Sequence, residues 1–285
     1  MHQGQGINDV GTLYVVATPI GNLRDITLRA LEILKSAHIV AAEDTRNTSH
    51  LLGHFGISAK LMALHEHNEQ VAAPKIIAAL QSGKTVALVS DAGTPAVSDP
   101  GTILVRAVRA AGLPVVPLPG PSAVICALSA AGLDAPHFLF YGFLPAKPAN
   151  RRKALAPLLP LPYTLAFYEA PHRIVETVAD LLAVLGGERE IVFARELTKV
   201  FETIHGCKLA DAPAWLEGDP NRQRGEFVLL VSGAPVVEEQ GISTEAQRVL
   251  TLLLAELPLK QAVQLAAEIS GEKKNALYDL ALRLK

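Results

Sequence analysis

Aromatic residues are scarce. They make up 5 % of the 285 residues, with a single tryptophan, so any core built by this chain is aliphatic and alanine-rich. Cysteine is scarcer still. Cys126 and Cys207 stand far apart and no Cys-x-x-Cys pair exists. That argues against a disulfide framework and a cysteine metal site, and points to a reducing compartment. No apolar run is long enough to span a bilayer. The opening MHQGQGINDVG lacks a basic stretch followed by an apolar one, so it does not read as a signal peptide. A soluble cytoplasmic protein is the expectation. No charge of one sign dominates either. The formal net charge of -2 gives no global field for nucleic acid, and a polyanion would have to be held by local clusters: RRK at 151–153, NRQR at 221–224 and EKK at 272–274.

Common catalytic signatures are also missing. There is no G-x-G-x-x-G after a strand, no G-x-x-x-x-G-K-[ST], no H-E-x-x-H and no G-x-S-x-G. The run HEHNE at 65–69 carries metal-binding residue types. Adjacent loop positions seldom converge on an ion without further ligands, so no metal is expected.

What is present suffices for a large core: 49 % of the chain is hydrophobic and 19 % charged. In the first half, short β-rich runs alternate with helical patterns. LYVVAT, HIVAAED, KLMAL, TVALVS and PVVPL read as strands. Between them, DITLRALEILKSA reads as a helix with Asp25 as N-cap and Ala30, Ile33, Leu34 and Ala37 on one face. Further helices are expected from about Thr45, ending near Ser82, and over about 102–111. Such alternation predicts an α/β fold with a parallel sheet covered on both faces. PLPGPSA at 117–123 reads as a break, because its prolines do not continue a strand.

After a helical ALSAAGL, the chain turns strand-rich: FLFYGF, YTLAFYE, REIVFARE, FETIHG and EFVLLVSG, with a helix at HRIVETVADLLAVLG. A mixed sheet is expected. GAPVVEEQGIS at 233–243 reads as a linker. Beyond it, Leu250, Leu253, Leu254 and Leu257 share a helical face, and two short helices break at Gly271. The expected domains are 1–119, an α/β domain with a parallel sheet; 120–235, a second α/β domain with a mixed sheet; and 236–285, a helical extension.

In an open α/β sheet, ligands bind at the carboxyl ends of the strands. Three loops fall there: VATPIGNLRD, SDAGTPAVSDPG and PLPGPSA. Each combines glycine, which lets a ligand approach the backbone, with proline, which stiffens the loop. Together they predict one cradle for a small, partly apolar molecule, with Asp91 as a hydrogen-bond acceptor.

These stretches resemble a family. LYVVATPIGNLRDITLRALEILKSAHIVAAEDTRNTSHLL, LVSDAGTPAVSDPG, PLPGPSA, GFLPAK, FYEAPHRIVETVADL, ARELTKVFET and RGEFVLLV are similar, in order, to the ribosomal RNA small-subunit methyltransferase I family of the tetrapyrrole methylase superfamily. The likeness runs from about Leu13 to Val231. It implies two α/β domains with S-adenosylmethionine in the cleft between them, a homodimer, and 2′-O-methylation of a cytidine ribose in the decoding region of 16S rRNA, within the small ribosomal subunit. Position by position, it implies that Pro19, Ile20, Asp91, Gly93, Thr94, Ser122, Ala123 and Tyr168 bind the cofactor.

Given that activity, a ribose hydroxyl needs a proton acceptor or a cation to stabilise its alkoxide. Candidate acceptors are Glu43, Asp44, Glu169 and Glu196; candidate cations are Arg46, Arg173, Arg195 and Lys199. Glu169, Arg173 and Asp44 are the expected catalytic groups. For RNA, Arg46, Arg151, Arg152, Lys153 and Lys199 are the expected contacts, with LPAKPANRRK read as a loop along phosphates. The C-terminal helices, with Tyr278, are read either as a clamp on RNA or as a bundle that caps the fold or aids dimerisation. Two rival functions remain at this stage: a small-molecule methylase of the tetrapyrrole type, and a non-catalytic nucleic-acid-binding protein.

Overall fold

Ten strands in two sheets organise the larger part of the molecule. The computed structural model describes residues 10–133, 137–235 and 242–284. The expected linker at 233–243 lies largely outside them, as does most of the opening segment. The chain forms two compact units, Met1–Ala234 and Pro235–Lys285.

In chain order the first sheet is built from β1 (Leu13–Val16), α1 (Leu28–Ser36), β2 (Ile39–Ala42), α2 (Thr45–His54), β3 (Leu61–Ala63), α3 (Glu69–Gln81), β4 (Val86–Val89), α4 (Thr102–Ala110) and β5 (Val115–Leu118). Its order is β3-β2-β4-β1-β5, and every pairing is parallel. Side-chain alternation divides each central strand between two cores. Ile39, Ala41, Val86 and Leu88 face one core with Ile76, Leu104 and Val108. Val40, Ala42, Ala87 and Val89 face the other with Ala30, Leu34 and Leu52. Burial on both faces explains why these strands read as unbroken apolar runs.

Two local expectations are corrected. The N-cap of α1 is Thr27, whose side chain accepts from the Ala30 N–H; Asp25 ends a 3-10 turn instead. PVVPL forms a strand as read, but it continues through Pro117 to Leu118, so the break read from Pro117 begins only after Leu118. It is an edge strand, and an edge tolerates a residue without an N–H.

The second sheet follows: α5 (Ala123–Ala131), β6 (Phe138–Phe143), α6 (Pro148–Leu155), β7 (Thr164–Glu169), α7 (Ile174–Leu185), β8 (Glu190–Arg195), β9 (Thr203–Lys208), α8 (Ala212–Glu217) and β10 (Phe227–Val231). Its order is β6-β7-β10-β8-β9. The β6–β7 pair is parallel and the others antiparallel. One face buries Leu165, Phe167, Ile191, Phe193 and Leu229 under α6, α7 and α8. The other carries Ala166, Val192, Ala194, Val228 and Leu230 against α5. The stretch read as the loop LPAKPANRRK is in part a helix. Pro148 begins α6, where its missing N–H costs nothing, so the RRK cluster is helical.

The smaller unit consists of α9 (Thr244–Glu256), α10 (Leu259–Ser270) and α11 (Lys274–Arg283). Ala246, Leu250, Val263, Ala266, Leu277 and Ala281 form its own core. Gly271 ends α10 in the left-handed conformation, φ 73°, which makes the break legible in the sequence.

Candidate active site

The loops after β1 and β4 meet in a two-residue antiparallel bridge. The Thr18 and Gly93 amides each donate to the other's carbonyl at 2.9 Å. The residues around this bridge divide between two pockets. On one side, Ile20, Ala92, Gly93 and Thr94 line a cavity of about 380 Å³, within the roughly 300–1,000 Å³ of small-ligand sites. On the other, Pro19, Ser90 and Asp91 line a smaller pocket of about 260 Å³ with Leu23, Asn47, Thr48, His50 and Leu51.

The larger cavity lies between the strand-end loops of the first sheet and the small-residue face of the second. Its far wall is built from Tyr168, Ala194 and Val228, the side chains opposite to those that enter the main core. Aromatics are few, yet three converge here. Tyr168 meets Phe140 at 4.8 Å and Phe143 at 5.6 Å between centroids, and burial pushes its phenol up. Ser122 and Ala123, at the start of α5, complete the rim. Thr94 Oγ1 donates to the Pro121 carbonyl at 3.0 Å and ties that rim to the central loop.

The cavity-lining loops are strained. Among the described residues, the positive-φ residues other than glycine are Ala96, Ser98, Glu196 and Thr198. Two lie in the loop after β4 and two in the loop after β8, beside the lining residues Val97 and Leu197. Each such residue costs on the order of 1–3 kcal/mol and persists where the surroundings impose it.

Of the expected cofactor contacts, Ile20, Gly93, Thr94, Ser122, Ala123 and Tyr168 share the larger cavity, while Pro19 and Asp91 face the smaller pocket. Asp91 accepts from the Asp44 amide at 3.1 Å and from Asn47 Nδ2 at 2.9 Å.

The expected catalytic groups are dispersed. Asp44 caps α2 and grips Arg46 through two oxygens at 3.1 and 2.7 Å. Hydrogen bonds from Arg46 hold its carboxyl down at about 2, so at neutral pH it is an ionised cap and a poor proton acceptor. Glu169 lines the larger cavity but is buried, and both its oxygens are engaged. Thr177 Oγ1 donates to one at 2.6 Å and the Ala170 amide to the other at 2.8 Å. Arg173 Nε lies 3.2 Å from Glu169 without hydrogen-bond geometry, while its Nη2 donates to the Leu144 carbonyl at 2.6 Å. This pair locks β7 to α7.

The expected RNA contacts divide as well. Arg151 is fully buried, with Nε 2.6 Å from Asp180, and cannot reach a phosphate. Arg152 is half-exposed on the same carboxylate at 2.8 Å. Lys153 is exposed. Lys199 bonds Glu226 at 2.6 Å and Glu196 at 2.9 Å. Burial pulls its ammonium down, but those two carboxylates outweigh it and hold it above its ordinary value.

One residue escaped the sequence reading. Asp99 lines the larger cavity, and burial, helped by Glu43 and Asp91, pushes its carboxyl up to about 6. The repeated Ser-Asp of SDAGTPAVSDPG, Ser90-Asp91 and then Ser98-Asp99, is the signal that could have found it.

The two sheets are sewn together where Gly21 meets the loop after β8. A Cβ on Gly21 would lie 2.5 Å from Lys199 Cγ, 2.9 Å from Thr198 Oγ1 and 3.0 Å from the Leu197 carbonyl. The next amide, Asn22, donates to Thr198 Oγ1 at 3.1 Å. Gly21→Ala is expected to force these loops apart and lower stability by about 1–3 kcal/mol, measured by urea unfolding. An unchanged midpoint would mean that the loops yield freely.

Comparison with known proteins agrees with this architecture. The tetrapyrrole (corrin/porphyrin) methylase profile matches residues 12–213, and that of the RsmI C-terminal HTH domain matches residues 240–285. The chain is 57 % identical over 275 residues to ribosomal RNA small subunit methyltransferase I of Escherichia coli O157:H7, covering 96 % of each. It is 57 % identical over 274 residues to the Pseudomonas aeruginosa protein of the same name, covering 96 % of this chain and 97 % of that one. Among solved structures, the methyltransferase CobJ matches with TM-score 0.59 at 24 % identity, over 79 % of this chain and 95 % of CobJ. Uroporphyrin-III C-methyltransferase from Thermus thermophilus, complexed with S-adenosyl homocysteine, matches with TM-score 0.53 at 20 % identity, over 80 % of this chain and 99 % of that one. At those identities the two structures speak for the fold alone. The curated relatives and the family profile go further: the chain belongs to the ribosomal RNA small subunit methyltransferase I family, within the tetrapyrrole methylases.

Proposed function

We propose that the protein transfers a methyl group from S-adenosylmethionine to the 2′-oxygen of a cytidine ribose in 16S rRNA of the small ribosomal subunit, acting as a cytoplasmic homodimer. The observation that carries the reading is the cavity where the strand-end loops of one sheet face the small-residue side of the other, in a chain with relatives of that name along nearly its whole length.

The residues suit the cofactor. Ile20, Leu197, Val228 and Tyr168 give an apolar wall for an adenosyl group, and Gly93, at φ 78°, brings bare backbone to the cavity. The cofactor supplies an electrophilic methyl on a sulfonium. The chain supplies position, and good orientation can supply up to roughly 7–11 kcal/mol of such a barrier. The strained loops hold the lining residues without reorganisation, and Tyr168 with Phe140 and Phe143 adds an aromatic surface to the wall.

RNA contacts follow from exposure. Lys153 is exposed on α6 and makes no ion pair among the described residues. Lys153→Ala is expected to flatten the log–log salt dependence of rRNA binding by about 0.7–1 and to leave thermal stability unchanged. An unaltered slope would remove Lys153 from the interface.

The reading as a whole is tested with radiolabelled S-adenosylmethionine and three acceptors: small subunits lacking the modification, naked 16S rRNA and tetrapyrrole precursors. Label in a cytidine 2′-O position supports it. Label in a tetrapyrrole, or none at all, overturns it.

A further inference from the structure

The basic run NRQR at 221–224 has no part in the site described so far. Its first three residues belong to a 3-10 turn, Pro220–Gln223. Arg222 of that turn lies over Trp215 of α8, the one tryptophan of the chain, with its guanidinium carbon 5.1 Å from the ring centroid, a cation–π contact. The same indole stacks on His205 of β9, at 4.3 Å between centroids and 6° between planes, and meets Phe193 of β8 at 4.7 Å. Arg222 Nη1 donates to the Trp215 carbonyl at 2.8 Å. Gly218 leaves the space for it, since a Cβ there would lie 3.1 Å from that nitrogen. The guanidinium is therefore held in place before any ligand arrives.

Arg222, Trp215 and His205 line a pocket of about 260 Å³ at the sheet edge, together with Arg195, Thr203 and Asp219. Arg195 is also held by carbonyls. Its Nε donates to that of Arg224 at 2.6 Å and its Nη1 to that of Phe201 at 3.1 Å. Arg224 is exposed. None of these three arginines is in an ion pair among the described residues. Asp219 accepts from the Asn221 amide at 2.9 Å. Two arginines against one carboxylate leave the pocket lining net positive. A fixed guanidinium without a carboxylate partner keeps spare N–H donors, and its planar fork matches a phosphate with two parallel hydrogen bonds.

The chemistry favours a backbone phosphate over a base, because the indole already carries His205 and Arg222 and has little face left for stacking. The place favours RNA. Ala194 lines the larger cavity and Arg195, next on β8, lines this pocket, because side chains along a strand point to opposite faces. The two recesses share the end of one strand, so an RNA chain that delivers a ribose to the first runs close to the second.

We propose that the pocket between β9 and α8 holds a backbone phosphate of the acceptor RNA, gripped by Arg222 with Arg195 beside it, an inference that rests on the reading given under Proposed function. Such a contact fixes the register of the RNA and reads no sequence.

The test is Arg222→Gln, with Arg222→Lys and Thr203→Glu beside it, each titrated with small subunits lacking the modification over a range of salt. Arg222→Gln is expected to raise the Kd for subunits about 10- to 100-fold at low salt and to flatten the log–log salt dependence by about 0.7–1. Arg222→Lys keeps a charge but loses the planar fork, so it should keep the wild-type slope and recover part of the affinity. Thr203→Glu sets a carboxylate among the arginines and leaves Arg222 on Trp215. It should flatten the slope as Arg222→Gln does, and it decides the matter where Arg222→Gln melts early. The Kd for S-adenosylmethionine, measured by calorimetry, should not change in any of the three. Folded Arg222→Gln and Thr203→Glu proteins that bind subunits with wild-type affinity and slope overturn the proposal. So does saturable binding of inorganic phosphate or AMP that is lost in Arg222→Gln while subunit binding is untouched, which would make the pocket a free-nucleotide site. A wild type that methylates small subunits beside variants with unaltered subunit binding sinks the proposal alone. A wild type that labels a tetrapyrrole, or no acceptor, sinks the functional reading and the proposal with it.

Discussion

Gly93→Val is expected to weaken S-adenosylmethionine binding by at least about 100-fold, or roughly 2.7 kcal/mol. Gly93 sits at φ +78°. A β-branched residue is a genuine outlier there, because its Cβ and methyls crowd the flanking carbonyls. The backbone has little room to relax, since both hydrogen bonds of the Thr18 bridge run through this residue. A Cβ alone would fit, 3.5 Å from Ile20 Cγ2 and 3.9 Å from the Pro121 carbonyl. The extra methyls of valine have nowhere to go but toward Ile20 or into the cavity. Gly93→Ala then separates the two effects. It carries the conformational cost of a left-handed residue, about 1–2 kcal/mol, without filling the site, so its affinity should fall only modestly. Calorimetry with both variants, alongside their melting temperatures, checks this. If folded Gly93→Val binds cofactor as wild type does, the cofactor lies elsewhere and the reading of this cavity is wrong.

That gradation depends on which side of the Thr18–Gly93 bridge a residue faces, and this was the least legible feature of the sequence. The alternation of strands and helices was plain, because buried parallel strands leave apolar runs such as Val86–Val89 between turn residues. The strand-end position of the three loops followed from it. The division of residues between the two sides of the bridge did not, because the pairing partner of Thr18 lies far along the chain. Pro19 and Ile20, adjacent in sequence, consequently face different pockets, and so do Asp91 and Gly93. The cap of α1 failed for a similar reason. Asp25 and Thr27 are both good caps, and the intervening 3-10 turn decided between them. Asp99 was hidden behind Asp91, which local chemistry could not distinguish from it. What separates them is burial and the pocket each one lines, both tertiary properties.

The basic run Arg151–Lys153 makes the same point with a larger energetic consequence. Three cations in a row read as a surface for polyanions, yet helical geometry sends neighbouring side chains in different directions. Arg151 turns inward between α6 and α7, where Asp180 meets it at 2.6 Å, Glu176 at 3.4 Å and the Ala146 carbonyl at 3.4 Å. Asp180 is itself buried and also takes Arg152 at 2.8 Å. Arg151→Ala leaves Asp180 in the interior with a half-exposed partner and opens a void beside Leu155. Breaking a buried pair from one side costs about 3–5 kcal/mol. The retained Arg152 contact places the expected loss near the lower end, about 3 kcal/mol, or a fall in Tm of roughly 6–12 °C for a domain of this size. The double variant Arg151→Met/Asp180→Leu should recover most of that loss, because it removes both charges and refills the space. Neither variant should change the salt dependence of rRNA binding, since Arg151 presents no donor to solvent. Denaturant unfolding of the single and double variants, with salt titrations of rRNA binding, measures both quantities. A stable Arg151→Ala with a flattened salt slope would put the guanidinium on the RNA and refute the inward assignment.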